Sequence, residues 1–302
     1  MRWKKNDNSI NVETPAKLNL FLEVLGKRED GFHELQTVIT AIDLVDQLKI
    51  SRVDHLGIQL QCRWRDPDLG KVMGDLPNDS SNLVYRAAEL FLKSTGKQMG
   101  LEIELIKSIP SQAGLGGASG NAAGTLLGLN EWLDGGLSDE QLVELAAQLG
   151  SDIPFFIRSG YALCEGRGEQ ITQLNIDPQL CFVVVKPSFG LSTRDIFSKL
   201  ELDSNVISLN VSQLTANQVD WSRSLFNRLQ QPAQQVSEEI GKVCDFLEHS
   251  GCLASQMTGS GSCCFGLCAD RRHAEQVLKQ VHEAKIGFAF VCENLPNFSV
   301  PM

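Results

Sequence analysis

The sequence predicts an α+β protein built as two lobes. Three observations lead there. The first hundred residues are dominated by strand-like runs, residues 110–124 form a glycine-rich loop between a strand and a helix, and the chain closes on a β-β-α-β succession. A length of 302 residues is enough for two packed lobes.

The elements follow in order. Val12 to Val24 is an extended apolar run interrupted by Pro15, and Arg28 to Gly31 signals a turn. Leu35–Leu44, Gln47–Val53 and Gly57–Cys62 alternate as strands do. Arg63–Ser81 is polar and expected to be irregular. Asn82 opens a helix with Leu83, Ala87, Leu90 and Phe91 on one face. Leu101, Ile103 and Leu105 alternate in the strand that enters the glycine loop. A helix is expected over 119–133, where Gly120, Gly124 and Gly128 share a face. Each such glycine costs about 1 kcal/mol against alanine, so that face should approach another backbone or a ligand closely. The next helix, 138–149, starts at Ser138, with Glu140 and Gln141 near the reciprocal-cap position, and ends at Gly150. Strands are expected at Tyr161–Glu165, Gln170–Leu174 and Cys181–Lys186. The lobe boundary is placed in the loop after Leu174, giving lobes of residues 1–174 and 175–302. Helices near 192–200, 221–230 and 233–249 precede strands near 253–258 and 263–268, a helix near 271–284 and a strand near 287–293. That closing run suggests a split βαβ, ferredoxin-like layer.

Composition narrows the function. Net charge is −10, from 27 Lys and Arg against 37 Asp and Glu. This argues against nucleic acid or a membrane surface as partner, both of which favour basic patches. No stretch approaches the roughly 20 apolar residues of a membrane helix, and no apolar signal core follows the polar N-terminus. Nine cysteines, an odd number without a CxxC pair, and five histidines at no zinc spacing complete the picture. The expectation is a cytoplasmic, reduced chain with no disulfide framework and no protein-held metal.

The segment from Ser108 to Asn130 carries no charge. Glycines let a backbone turn tightly and present its N–H groups. A helix that starts there adds unpaired N–H groups and a positive dipole end, which makes an anion site. The alternative is a mobile surface loop. No lysine follows as a P-loop requires, and Gly114-Leu115-Gly116 meets Ser119 where the dinucleotide fingerprint needs glycine. A different glycine-loop kinase is the natural suspect.

Other candidates each have two readings. Lys17 lies in Pro15-Ala16-Lys17-Leu18-Asn19-Leu20, with Lys17 and Asn19 on one strand face. It is either an edge-strand lysine that snorkels to water or a cation that orients a hydroxyl or neutralises a phosphoryl group. Asp152, beside Pro154 and two phenylalanines, is either a helix N-cap or a general base needing a partner in apolar surroundings. Phe32 and His33 are either part of a hairpin or a stacking face for a heterocycle. Phe197 is either core or the opposite side of such a sandwich. Thr258-Gly259-Ser260-Gly261 is a tight hairpin or a second ligand loop.

Taken in order, Pro15–Leu20, the Pro110–Ala123 loop and Thr258–Gly261 resemble the superfamily of galacto-, homoserine, mevalonate and phosphomevalonate kinases. Asp30–Thr37, Leu115-Gly116-Gly117, Asn121-Ala122-Ala123 and Leu149–Phe155 narrow the likeness to the 4-diphosphocytidyl-2-C-methyl-D-erythritol kinase family, over about residues 11–295. The resemblance implies an N-terminal lobe like ribosomal protein S5 domain 2, a ferredoxin-like second lobe, and ATP with Mg2+. It implies catalytic roles for Lys17 and Asp152. The ATP site would comprise Asn82, Lys107, Pro110, Gly114, Leu115, Gly116, Gly117, Ala118, Ser119, Gly120 and Asn121. The substrate, carrying a cytidine diphosphate group, would meet Asn19, Phe32, His33, Thr193 and Phe197, with cytosine between the two phenylalanines. A monomer or weak homodimer is expected. Two residues depart from the usual loop: Ala118 replaces a glycine, which requires a negative φ, and Gly120 replaces a serine. Phe32 stands where tyrosine is common. The competing readings are a homoserine- or mevalonate-type kinase and a non-catalytic regulator on the same fold.

Overall fold

The computed structural model describes the chain except residues 159, 175–178, 203–205, 208, 210–213, 215–218, 296–299 and 302. The lobe boundary placed after Leu174 falls on 175–178, outside the described residues.

The N-terminal sheet is built on one long hairpin. Strands β2 (Ser9–Lys27) and β3 (His33–Val53) pair antiparallel along nearly their whole length, Lys17 opposite Ala41. Their register shifts at Pro15/Ala16, where proline has no N–H to give the ladder. The turn between them closes through Arg28 and Phe32, with Gly31 at a φ of 86°. Strand β1 (Arg2–Lys5) lies outside β2. Strand β5 (Gly100–Lys107) pairs with β3 and carries parallel β4 (Gly57–Trp64). The hairpin of β6 (Tyr161–Gly166) and β7 (Gln170–Leu174) extends the inner half of β3. Helices α2 (Leu83–Thr95), α3 (Gly117–Trp132), α4 (Asp139–Leu149) and α5 (Ile153–Arg158) belong to this lobe and enclose a core with its sheet.

The glycine ridge of α3 lies on β2. A Cβ on Gly120 would stand 2.8 Å from the Pro15 carbonyl oxygen, and one on Gly128 would stand 2.8 Å from Val12. One on Gly124 would run into the Thr14 methyl. This face is therefore glycine because it packs on the Pro15 carbonyl and on the side chains of Thr14 and Val12 with no room for a Cβ. Helix α4 carries the full reciprocal cap between Ser138 and Gln141.

The second sheet has the order β10–β11–β8–β12, all antiparallel, from β8 (Cys181–Lys186), β10 (Ala254–Met257), β11 (Cys264–Cys268) and β12 (Phe288–Glu293). This is the ferredoxin-like layer. Helices α9 (Glu239–His249) and α10 (Arg271–Ala284) cover one face. The other face meets the first sheet, with Leu18, Leu20, Phe182, Val184 and Phe265 in a shared core. Alternation along β2 thus turns Leu18 and Leu20 into this shared core and leaves Lys17 and Asn19 outside it.

Three expectations are corrected. Residues 63–81 contain a short helix, α1 (Pro67–Met73), capped by Asp66 and opened by Pro67. The helix expected over 221–230 stops as α7 (Trp221–Ser224), because β9 (Phe226–Asn227) pairs with Phe21 and Leu22 of β2. The helix expected over 233–249 is two helices, α8 (Gln230–Val236) and α9, parted at Ser237 in extended conformation. Between β8 and α7 lies α6 (Thr193–Ser198). All nine cysteines are free. Among the described residues no helix is long and apolar enough to cross a membrane.

Candidate active site

A cleft of about 960 Å³ runs between the lobes. One wall is the glycine loop. The loop turns at Gly114 (φ 74°) and Gly116 (φ 67°), both in the left-handed region. Gly116 is the N-cap of α3 and supplies no side-chain cap, so the N–H groups of the helix's first turn are left for a ligand. Ala118 lies in the helix, not in the left-handed region, so its Cβ is accommodated. Pro110, Leu115, Gly117, Ser119 and Asn121 line the same wall. Gly120 does not; it is buried against Pro15. The loop is pinned from two sides: Lys17 N–H donates to the Leu115 carbonyl (2.9 Å) and Cys263 N–H to that of Ala113 (3.1 Å).

At the centre is Lys17, only 5% exposed. Its ammonium donates to Asn19 Oδ1. Asn19 in turn donates to Thr37 Oγ1 (2.9 Å), while its backbone N–H donates to Thr258 Oγ1 (3.0 Å). The second glycine loop presses on this pair: a Cβ on Gly259 would stand 3.1 Å from Lys17 Nζ and 3.3 Å from Asn19 Oδ1. It is thus part of the site. Burial lowers the Lys17 pKa below the usual lysine range, and the negative charge of Asp152 opposes that shift.

Asp152 lines the same cleft as Lys17. The expectation of apolar surroundings is corrected: its carboxylate is exposed, while Phe155 and Phe156 turn into the core. It caps no helix N–H and makes no hydrogen bond among the described residues. The turn between β6 and β7 borders it, since a Cβ on Gly168 would come within 3.9 Å of Asp152 Oδ1.

The remaining candidates divide. Lys107 and Asn82 reach the cleft wall. The Lys107 ammonium is, however, committed to Asp46, and the Asp46 carboxylate also accepts from the backbone N–H of Ser108 (2.6 Å) and Ile109 (2.8 Å). This buried pair fixes where the chain enters the glycine loop. Asn82 caps α2 by accepting from Val84 N–H. Thr193 bonds across the cleft mouth to Ser260 of the second glycine loop (2.8 Å). Phe197 lines the cleft but stacks on His33, with centroids 4.6 Å apart. Burial and nearby Lys27 lower the His33 pKa, which favours the neutral ring. Phe32 is half exposed, off the cleft wall, under the Arg167 guanidinium at 4.9 Å. The ring facing Phe197 is therefore His33, not Phe32.

The GHMP kinase N-terminal domain matches residues 82–160, and the GHMP kinase C-terminal domain matches residues 211–286. A 4-diphosphocytidyl-2-C-methyl-D-erythritol kinase of Pelotomaculum thermopropionicum is 40% identical over 273 residues, covering 89% of this chain and 92% of that protein. The chain belongs to this kinase family. A crystal structure of 4-(cytidine 5'-diphospho)-2C-methyl-D-erythritol kinase superposes with a TM-score of 0.79 at 31% identity, covering 94% of this chain and 98% of the other. Homoserine kinase from Cytophaga hutchinsonii superposes with a TM-score of 0.74 at 19% identity, covering 97% and 96%, a likeness of fold alone.

Sequence reading missed three parts of this small-molecule kinase's site. Asp46 lies 61 residues from the lysine it pairs with. Arg167 and Gly168 sit in a turn whose Gly-Arg-Gly sequence is an ordinary hairpin signal. Ser260 belongs to the Thr258–Gly261 segment, for which the sequence left a tight hairpin and a second ligand loop open. A charged residue between two glycines, after a strand that pairs with β3, was the available signal for Arg167. The assembled cleft offers an uncapped helix start for anions, a buried cation, and an exposed carboxylate near that cation.

Proposed function

We propose that this kinase transfers the terminal phosphoryl group of ATP to the 2-hydroxyl of 4-diphosphocytidyl-2-C-methyl-D-erythritol, in non-mevalonate isoprenoid precursor synthesis. The observation that carries the reading is that Lys17, Asp152 and the free N-terminus of α3 line one cleft. Phosphoryl transfer asks mainly for alignment and charge stabilisation. The α3 N–H groups and the glycine loop take the ATP phosphates. Asp152 accepts the proton of the acceptor hydroxyl as its oxygen bonds to the terminal phosphorus. The bond from that phosphorus to the bridging oxygen breaks, and ADP leaves. Lys17 holds the acceptor oxygen and offsets charge on the moving phosphoryl group.

Mg2+ fits this donor set. Among the described residues no group of three or more acidic, histidine or cysteine side chains could hold a metal by itself. Asp152 and the Ser119 hydroxyl would complete a shell supplied mostly by phosphates and water, as this ion prefers. Bound there, it would neutralise phosphate charge.

Asn19, His33, Thr193 and Phe197 are assigned to the acceptor side, with the base against Phe197 and the neutral His33 beside it. Arg167 adds a cation to that end of the cleft. Asn82 and Lys107 are assigned to the nucleoside end of ATP, Lys107 acting through its pair with Asp46. The division into lobes after Leu174, a cytoplasmic location and a monomeric or weakly dimeric state belong to the same reading. The test is an ATP-consumption assay with this acceptor beside homoserine and mevalonate. Turnover is expected with the cytidylyl acceptor alone; preferred turnover of either other alcohol overturns the assignment.

A further inference from the structure

Lys186 ends β8 and is 1% exposed. No carboxylate lies within ion-pair distance of it among the described residues. Its ammonium instead donates to two backbone carbonyls of the turn that follows, Pro187 (2.8 Å) and Phe189 (2.5 Å). Burial lowers its pKa, and the neighbouring Cys263 opposes this. A buried cation without a counter-ion is costly and persists only where its protons are well used.

The Phe189 carbonyl has a second donor. The buried Ser262 hydroxyl, at the end of the second glycine loop, reaches it at 2.7 Å. One oxygen thus joins the β8–α6 turn to the loop that presses on Lys17. The residues that follow, Gly190 to Thr193, line the cleft. Gly190 faces the glycine loop, where a Cβ on it would stand 3.3 Å from Gln112 Oε1. Leu191 packs against Gly261, and Thr193 bonds Ser260.

We propose that Lys186 is a positioning residue for the acceptor: it draws the Pro187–Phe189 turn inward and so fixes the Gly190–Phe197 wall opposite the phosphate loop. Lys186 does not line the cleft and touches no reacting group. An apolar side chain would leave the Pro187 carbonyl buried without a donor and the Phe189 carbonyl with only one. The wall would then be free to recede from the acceptor, while the ATP cradle, held by Lys17, Asp46 and Cys263, would keep its shape.

The inference rests on the acceptor assignment above, and the two fail separately. Wild-type turnover of the cytidylyl acceptor decides that assignment. Steady-state constants of Lys186→Met, measured with whichever alcohol the wild type phosphorylates, decide this one. The acceptor KM should rise about tenfold, the scale of a lost charged hydrogen bond, while the ATP KM moves less than about twofold. Lys186→Arg, which keeps the cation, should recover at least half of the loss on a logarithmic scale. Equal changes in both KM values, no change in either, or no recovery with arginine overturns the role. Should Lys186→Met not fold, Ser262→Ala carries the test. It removes the other donor to the same carbonyl and should raise the acceptor KM alone, by about threefold; an unchanged acceptor KM contradicts the proposal.

Discussion

Lys17 is a buried ammonium held between two opposing effects. Desolvation drives its proton off, and the charge of Asp152 keeps it on. The sign of the pH dependence follows. The charged form is lost as pH rises through a pKa below the ordinary lysine value of 10.5. The alkaline limb of kcat/KM, which reports the free enzyme, should therefore fall below that pH; a plateau extending past it would contradict the assignment. Asp152→Asn should cut kcat by at least about a hundredfold, as loss of a general base does. The melting temperature should hold, because this carboxylate is exposed and makes no hydrogen bond among the described residues. Near-normal turnover in a folded variant removes the base. At this scale the sequence was informative where chemistry is local. Strand alternation placed Lys17 and Asn19 on one face, and Asp152 stood out after Gly150. It was blind where partners are distant: Asp46 bonds Lys107 across 61 positions, and the ring that Phe197 meets belongs to His33.

Elements carry these side chains through close backbone approach. Helix α3 reaches β2 because its contact face is glycine. Gly124→Val should destabilise the fold by about 1–3 kcal/mol, the range for overpacking, since the Thr14 methyl it would strike is held in place by the Thr14 hydroxyl's 2.6 Å bond to Asn121. Urea unfolding measures this, and an unchanged midpoint contradicts the packing account. Asp46→Ala should cost about 3–5 kcal/mol, as breaking a buried pair does. It would also free Ser108 and Ile109 at the loop entrance, so the ATP KM should rise more than the acceptor KM; the opposite order would show that the pair serves the other side. The four-residue glycine period announced the α3 contact in advance. Helix α1 was missed because it is short and polar and buries only Leu69. The segment 221–230 was misread because a two-residue pairing with β2, invisible in local periodicity, takes precedence over helix propensity there.

The whole molecule is two sheets face to face, with the cleft where their connecting loops converge. Asn19 marks the junction: its carbonyl accepts from Gln256 of the second sheet (2.8 Å), and its backbone N–H meets Thr258. A net charge of −10 does not oppose an anionic ligand here. The ligand would meet local dipoles and Lys17 rather than the average field. The closing β-β-α-β run made the second lobe legible, whereas the packing of one lobe on the other follows from apolar faces of strands far apart in the chain. The central claim is that this arrangement presents one particular alcohol to ATP, the hydroxyl on the methyl-bearing carbon. A proton-coupled phosphorus NMR spectrum of the product tests it most directly. That carbon bears no hydrogen, so the new phosphomonoester should appear as a singlet formed in step with ADP. A doublet or triplet would place the phosphate on a neighbouring carbon and contradict the account, as would ADP released with no new ester signal.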